Sequence, residues 1–414
     1  MTAIVTQDGR VDLDDLLSPG AVNAPNAFYA ALRTSAPVYW NSRWNGWVLT
    51  GYQDVVDGFR DHSHLSSDRF AGPFGKELSA ASSQYQQLFG FLSKFFVWKD
   101  RPYHTRVRSL VNKAFTPRSV EVLRPRVHEL VANLMTPMVG AGEVDFLARF
   151  AFTLPVVVIA EYLGVPEEGR DRMRQWAEDL GAVIFVSGRD SDRMRKGEEA
   201  MSELVEFLRP VVRARRSDPH DDLLTGMVQA EERGDLLSED EVIANAILMV
   251  FAGHETTMNL LANGIAAFAR FPEQWELLRN DPTLAAKATE EVLRFDGPIR
   301  AQTRWAKQPL QIGSQHVERG DRVMLVQHAA NHDPAQFAEP NQFDIMRWPN
   351  RHTAFGQGIH TCLGAPLARL EAQEAFTALA ATFPRFEITE TDLEYVPNLV
   401  SRSLRRLHVT FHTS

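Results

Sequence analysis

The stretch "FGQGIHTCLG", from Phe355 to Gly364, contains Cys362, which is the only cysteine among the 414 residues. The two glycines before the cysteine allow the backbone to turn and to approach another group closely. Pro366 follows shortly afterwards, and proline is favoured in the first turn of a helix. The pattern therefore predicts that Cys362 lies at or just before a helix N-terminus, where the helix dipole stabilises a thiolate.

A thiolate in this position could act as a nucleophile or as a metal ligand. Zinc would need more protein ligands, and near Cys362 the sequence offers only His352 and His360 and no second cysteine. A nucleophile would need a positioned base and oxyanion donors. A thiolate that is the sole axial ligand of a haem needs only one cysteine and favours O–O bond cleavage. At this point all three alternatives stay open.

A long helix is predicted in the middle of the chain. Ser238 and Glu241 have the spacing of a capping box, and Pro272 marks the end, so the helix should run from Glu239 to Arg270 and span about 48 Å. It is apolar on nearly all sides, which is typical of a buried helix. Its middle nevertheless reads "AGHETT", Ala252 to Thr257. A carboxylate and two hydroxyls in a buried helix need partners, and such a local conflict indicates a functional site.

The other segments predict a mainly α protein with small β-sheets, an α+β fold, in one domain over residues 1–414. We expect a β-rich part from residues 1–70 with the C-terminal strands, and a mainly helical part over residues 100–390. The segments behind this prediction are a helix at Asn26–Arg33, a hairpin at Val38–Trp40 and Gly46–Thr50, helices beginning near Asp100, Pro117, Phe146, Pro166 and Arg193, strands and turns within Leu310–Leu325, a last helix at Ala365–Phe383 and a final strand.

Composition excludes several classes of function. The net charge is −9, which argues against overall binding to nucleic acid or to an anionic membrane. A single cysteine excludes an intrachain disulfide, so nothing indicates an oxidising compartment. The apolar run Phe150–Ala160 is too short to span a bilayer and contains Pro155, so we expect a buried helix there. With no signal peptide at the N-terminus, the sequence predicts a cytoplasmic protein, and we expect it to be a monomer.

Together these motifs resemble the cytochrome P450 family of haem-thiolate monooxygenases, in its soluble bacterial class, over nearly the whole chain. "FGQGIHTCLG" matches the cysteine loop of that family at every fixed position, and "AGHETT" resembles its oxygen-activation motif. "EEVLR" supplies Glu291 and Arg294, and Arg347 matches the arginine that joins this pair in the family. The resemblance implies the cytochrome P450 fold, in which a long central helix lies over a buried haem.

The resemblance also assigns roles to individual residues. Cys362 would be the axial ligand of haem b iron, and Thr256 with Glu255 would deliver protons to bound oxygen. Glu291, Arg294 and Arg347 would be structural. The residues that would contact the haem are His104, Arg108, Arg304, His352, His360, Phe355, Gly356, Gly364 and Ala252.

The implied reaction uses O2 and electrons from NAD(P)H, delivered by a separate ferredoxin and ferredoxin reductase. Residues 100–126 carry seven Lys or Arg and two Asp or Glu, a local charge of +5, and an acidic ferredoxin could dock there. The same residues allow hydroxylation, oxidative coupling or dealkylation. A peroxide-driven peroxygenase is the alternative enzyme, and a haem-based sensor or carrier is the alternative without catalysis. The Glu255–Thr256 pair argues against both.

The substrate is predicted to be an apolar small molecule, and an aromatic ring or a carboxylate would suit the proposed contacts. Segments Phe70–Trp98 and Gly181–Ser187 should cover the site. The expected contacts are Leu248, Phe251, Phe89, Val400 and Arg300. Arg300 could pair with a substrate carboxylate, but it could equally reach a haem propionate or solvent.

Overall fold

The computed structural model describes residues 12–76, 83–185, 190–232 and 234–413. Most of the chain is helical. The α-helices are α1 (Pro19–Asn23), α2 (Pro25–Ser35), α3 (Tyr52–Arg60), α4 (Gln86–Leu92), α5 (Tyr103–Ala114), α6 (Pro117–Glu121), α7 (Arg124–Met135), α8 (Thr153–Leu163), α9 (Glu167–Phe185), α10 (Ser191–Ser217), α11 (Leu223–Gln229), α12 (Glu239–Arg270), α13 (Pro272–Asn280), α14 (Ala285–Asp296), α15 (Gln327–Asn331) and α16 (Ala365–Thr382).

The strands are short and form small sheets at the periphery of the helices. They are β1 (Val38–Asn41), β2 (Gly46–Leu49), β3 (Leu65–Ser66), β4 (Glu143–Asp145), β5 (Glu231–Glu232), β6 (Asp235–Leu236), β7 (Gln302–Ala306), β8 (Leu310–Ile312), β9 (Gln315–Val317), β10 (Arg322–Leu325), β11 (Arg385–Ile388) and β12 (His408–His412). The largest sheet has the order β1-β2-β10-β7-β3, and a second has the order β11-β12-β4. The pairs β5-β6 and β8-β9 complete the set within the described residues. The predicted fold class is thus confirmed.

The prediction for the central helix is confirmed to the residue. α12 runs from Glu239 to Arg270 and has the predicted capping box, in which the Ser238 hydroxyl accepts from the Glu241 amide and the Glu241 carboxylate accepts from the Ser238 amide. The helix packs against α8, α10, α14 and α16. Packing on several sides explains why it is apolar around most of its circumference.

The apolar run Phe150–Ala160 is buried, as expected. It is divided between a π-helical turn at Leu147–Ala151 and α8, and α8 packs directly on α12. Pro155 lies in the first turn of α8, where a missing amide hydrogen costs little. Within the described ranges, no helix combines the length and the apolar character that crossing a bilayer requires.

The pairing of the last strand differs from the expectation. We expected the C-terminal strands to join the β-rich part of residues 1–70, but β12 pairs antiparallel with β4, with Val409 opposite Val144. The strands of residues 1–70 pair instead with β7 and β10. The alternation of side chains in a short segment predicts that the segment is a strand. The strand with which it pairs depends on contacts that are distant in sequence.

Candidate active site

The Cys362 loop forms a tight structure between residue 353 and α16. The Gly356 amide donates to the Thr353 carbonyl at 2.8 Å, and the Cys362 amide donates to the Phe355 carbonyl at 2.9 Å. Gly356 and Gly358 have φ of 65° and 72°, values that side-chain-bearing residues adopt at a cost. The loop therefore turns back on itself and presents Cys362 just before the first residue of α16, as the sequence predicts.

Two opposing effects act on the Cys362 thiol, which is open to the cavity yet surrounded by protein. Burial raises its pKa and is the larger effect. The backbone amides of Gly364 and Ala365, with the positive charges of Arg108 and Arg369, act to lower it. These donors favour a thiolate, and a cation bound to the sulfur would add to their effect.

A cavity lies between α12 and the N-terminal part of α16. Its volume open to the centres of water molecules is about 270 Å³. Leu248, Ala252 and Thr256 line it from α12, and Cys362 and Gly364 line it from the other side. The cavity thus brings the two motifs together. The predicted residues at its wall are Leu248, Phe251, Ala252, Thr256, Arg108, Arg304, Phe355, His360, Cys362, Gly364 and Val400.

Basic side chains lie at the edge of this cavity. Their chemistry shows whether the cavity suits a haem, which carries acidic propionates. Arg108 and Arg304 line the wall, and the buried ring of His104 lies 4.1 Å, between centroids, from that of His360. Both ring nitrogens of His104 and Nδ1 of His360 are buried without a hydrogen-bond partner among the described residues. A thiol on an apolar cavity whose edge carries cations and unpartnered donors matches a flat apolar group with acidic substituents. The residues present therefore fit a haem.

Thr256 and Glu255 face different surroundings although they are adjacent. The Thr256 hydroxyl donates to the Ala252 carbonyl at 2.8 Å, and the residue lines the cavity. The Glu255 carboxyl is not part of the cavity wall. It lies beside Ser401, whose hydroxyl acts to lower its pKa, and close to Gly181 of α9. Burial raises the pKa of Glu255 to about 7, so this carboxyl can exchange protons near neutral pH.

The sequence-based prediction for Arg300 requires a correction. Its side chain is fully buried and is not part of the cavity wall. The guanidinium donates to the carbonyls of Asn398 and Ala21 at 2.7 and 2.8 Å and to the Tyr29 hydroxyl at 3.1 Å. These bonds tie residues 21 and 29 to the C-terminal segment, so the guanidinium is engaged by protein acceptors outside the cavity wall.

Three other predicted contacts also lie away from the cavity. His352 donates to the Glu290 carboxylate at 3.1 Å and accepts from the Ala354 amide, so its ring nitrogens are occupied. Phe89 of α4 is buried in the main hydrophobic core. Gly356 shapes the turn of the loop without reaching the cavity wall.

The predicted triad of Glu291, Arg294 and Arg347 is assembled. Arg294 binds both carboxylate oxygens of Glu291 at 2.7 and 2.8 Å, and Arg347 reaches the same carboxylate at 3.3 Å. Arg294 also donates to the carbonyls of Asn331, Pro340 and Gln342. The cluster therefore ties α14 to the segment that leads into the Cys362 loop.

The sequence analysis missed two ionisable residues at the cavity, Arg69 and Glu371. Glu371 is buried, its Oε2 has no hydrogen-bond partner in the described part of the chain, and burial raises its pKa well above the usual value. It lies seven residues after Gly364 on α16, a spacing that places both on one helix face and could have revealed it. Arg69 lies in a loop, where no periodicity applies.

The basic segment 100–126 carries less free charge than its composition suggests. Arg106 pairs with Asp235 and Glu241, and Arg124 pairs with Glu121 and Glu374. Arg126 is also paired, with Glu129 and Glu161, and Arg108 lies at the cavity. Three of the seven cations are therefore paired with carboxylates, most of which lie outside the segment.

Comparisons with known proteins agree with this geometry. A family model described as Cytochrome P450 matches residues 182–407. The biotin biosynthesis cytochrome P450 of Bacillus subtilis (strain 168) is 34% identical over 389 residues, which cover 94% of this chain and 96% of that protein. The 6-deoxyerythronolide B hydroxylase of Saccharopolyspora erythraea is 35% identical over 394 residues, which cover 92% of this chain and 94% of that protein.

A solved structure has the same fold. The crystal structure of P450BioI in complex with hexadec-9Z-enoic acid ligated acyl carrier protein superposes with a TM-score of 0.87 at 32% identity, covering 97% of this chain and 100% of that chain. Sequence similarity and structural similarity thus extend over almost the entire chain. The cavity, its single thiol and these relatives lead to one conclusion: the chain belongs to the cytochrome P450 family of haem-thiolate monooxygenases.

Proposed function

We propose that this monooxygenase receives electrons from a separate ferredoxin-type protein and inserts oxygen into an apolar small molecule. In the balanced reaction, O2, two electrons and two protons convert a C–H bond of the substrate into C–OH and release one water. The electrons come from NAD(P)H through the partner and its reductase, in the cytoplasm. One observation carries the proposal: Cys362 and Thr256 face the same cavity from opposite sides.

Haem, when bound, supplies the activation of O2, and the protein residues divide the remaining tasks. Cys362 would hold the iron, and Arg108, Arg304 and His360 would hold the propionates at the cavity edge. The Thr256 hydroxyl would hold a proton at the cavity wall, and Glu255, whose pKa is raised to about 7, would exchange protons next to it in the chain.

The walls of the cavity support an apolar substrate. Leu248, Phe251 and Val400 contribute aliphatic and aromatic surface, and Phe96 and Trp98 add two further rings. Such walls bind apolar groups by excluding water and provide few polar contacts to orient them. The similarity to a structure that holds a fatty acid on acyl carrier protein agrees with a substrate that contains a long apolar portion.

The charge neutralisation in segment 100–126 changes the proposed docking site. Arg106, Arg124 and Arg126 already have carboxylate partners, so an acidic ferredoxin would gain little from them. Docking would depend instead on exposed cations around the Cys362 loop, such as Arg60 and Arg351. Reduction rates that fall with rising ionic strength for wild type, and less steeply for Arg60→Gln, would support this location.

The test is the absorbance spectrum of the reduced protein with carbon monoxide, followed by product analysis. A strongly red-shifted Soret band that disappears in Cys362→Ser would establish thiolate ligation, whereas a band typical of histidine ligation would contradict the proposal. Thr256→Ala should keep the band but divert electrons to hydrogen peroxide. Thr289→Ala is the matched control, because its hydroxyl makes the same bond to the fourth preceding carbonyl, at 2.9 Å, away from the cavity.

A further inference from the structure

Arg369 of α16 and Glu290 of α14 form an ion pair beside the Cys362 loop. Nε and Nη2 of Arg369 donate to the two carboxylate oxygens of Glu290 at 2.7 and 2.8 Å, so the pair is bidentate. The two helices pack on each other, and the next residue of α14, Glu291, binds Arg294 instead. Adjacent residues of a helix point in directions about 100° apart, so α14 supplies two separate anchors.

The ion pair holds the guanidinium over the ring of Phe355. The Arg369 Cζ lies 4.5 Å from the centre of that ring, which is within the range of a cation–π contact. His352 adds a second link, because it donates to Glu290 at 3.1 Å and its ring lies 6.1 Å, between centroids, from that of Phe355. The Phe355 carbonyl in turn accepts from the Cys362 amide. A continuous set of contacts therefore runs from α14 to the thiol-bearing residue.

The charge of Arg369 also acts on the Cys362 sulfur, where it favours the negatively charged form. A guanidinium keeps its positive charge in proteins, so this effect is permanent. The side chains of Arg369 and Glu290 are 36% and 29% exposed, and solvent therefore screens part of the effect. Because the two residues carry opposite charges, they have opposing electrostatic effects on the sulfur, and their balance sets the net effect of the pair.

We propose that Arg369, oriented by Glu290, is a positioning residue that raises the electron affinity of the iron bound to Cys362. A cation near the sulfur stabilises the negative charge of the ligand, so the iron accepts an electron more readily. In the step concerned, ferric iron takes up one electron from the reductant and becomes ferrous, and no proton moves at Arg369. The inference rests on the ligation of iron by Cys362 in the proposed function.

The experiment measures the midpoint potential of the purified haem-containing protein by titration with dithionite. Arg369→Gln should shift the equilibrium between ferric and ferrous iron about tenfold toward ferric, which is about 59 mV for a one-electron couple. Arg369→Lys keeps the charge, so its potential should return toward that of wild type. Glu290→Gln should shift the potential in the opposite direction, because its amide oxygen still accepts from the guanidinium but no longer opposes its charge.

Arg124→Gln is the matched control. Arg124 forms an ion pair with Glu374, which lies five residues further along α16, so this variant breaks an arginine–glutamate contact on the same helix. A shift in Arg369→Gln that is no larger than in the control overturns the proposal. Shifts in the same direction for Arg369→Gln and Glu290→Gln also overturn it, because a loosened loop moves the potential one way whichever partner is removed.

Two further readouts keep the test decisive. If Arg369→Gln does not retain haem, the sign of the shift in Glu290→Gln decides, since the proposal requires a higher potential there. The reduced carbon monoxide spectrum of wild type separates this inference from the proposed function. With the red-shifted band present, failure of the potential shifts overturns this inference alone, whereas absence of the band overturns the proposed function itself.

Discussion

The Glu255 carboxyl lies beside the hydroxyl of Ser401, a residue of the C-terminal segment, and this hydroxyl acts to lower the pKa of Glu255. Ser401 in turn accepts from the Ser403 hydroxyl at 3.3 Å, and Ser403 accepts from the Asn259 amide at 2.8 Å. A chain of polar groups thus runs beside α12 in an otherwise apolar region. This chain of polar groups allows a carboxyl with a raised pKa to remain in the interior without an ion-pair partner among the described residues.

The free energy of unfolding should depend on pH through Glu255. Its pKa is about 7 in the folded protein against 4.5 as the ordinary value, so the folded state binds the extra proton between these two pH values. Stability should therefore decline as pH rises from about 4.5 to about 7, by up to about 3 kcal/mol. The glutamine of Glu255→Gln does not titrate, so the variant should not lose this stability as the pH rises. The free energy of unfolding of the variant relative to that of wild type, measured with urea, should therefore be higher at pH 8 than at pH 5. A difference that is the same at both pH values would contradict the raised pKa.

Removal of the Ser401 hydroxyl should raise the pKa of Glu255 further, because this neighbouring hydroxyl favours the ionised carboxylate. If Glu255 donates protons, Ser401→Ala should move the alkaline limb of the pH profile of product yield per NAD(P)H to higher pH. Ser403→Ala is the control, because its hydroxyl bonds to Ser401 and Asn259 but not to Glu255. An equal movement of the limb in both variants would show that Ser401 has no particular role.

Arg300→Met should destabilise the fold without altering substrate preference. The variant loses bonds to two buried carbonyls and to the Tyr29 hydroxyl, which should lower the free energy of unfolding by about 3 kcal/mol. Arg43→Met removes an exposed ion pair with Asp12 and should change it by less than about 1 kcal/mol. Urea unfolding measures the first point. The ratio of the dissociation constants of dodecanoate and 1-dodecanol, taken from the spin-state change in the absorbance spectrum of the haem-containing protein, measures the second. A changed ratio in the folded Arg300 variant would restore its role at the substrate.

The two glycines of the Cys362 loop should respond differently to alanine. A Cβ on Gly358 would lie 2.9 Å from the Phe59 carbonyl oxygen, whereas a Cβ on Gly356 would have its nearest neighbour, the Phe59 ring, at 3.6 Å. Both positions have positive φ, so each alanine costs about 1–2 kcal/mol from backbone conformation alone. Gly358→Ala should cost more and should lower the haem content per protein further than Gly356→Ala does. Equal haem contents would contradict a close contact between the loop and α3.

The sequence by itself determined the elements whose signals are local. The bounds of α12 follow from a capping box at one end and Pro272 at the other, and both act within a single turn of the helix. The Cys362 loop is similarly specified, because its glycines and the following helix start are adjacent in sequence. The family motifs are short and contiguous, which is why they indicated the fold and the thiolate before any contact was known.

Only the tertiary structure decided which side chains share an environment. Arg300 and Arg304 are four residues apart, yet one binds backbone carbonyls of distant segments and the other faces the cavity. Arg69 reaches the same cavity because β3 pairs with β7. Part of the charge of segment 100–126, too, is neutralised by carboxylates on other elements. Such partners are set by packing between segments far apart in the chain, and neither composition nor periodicity records them.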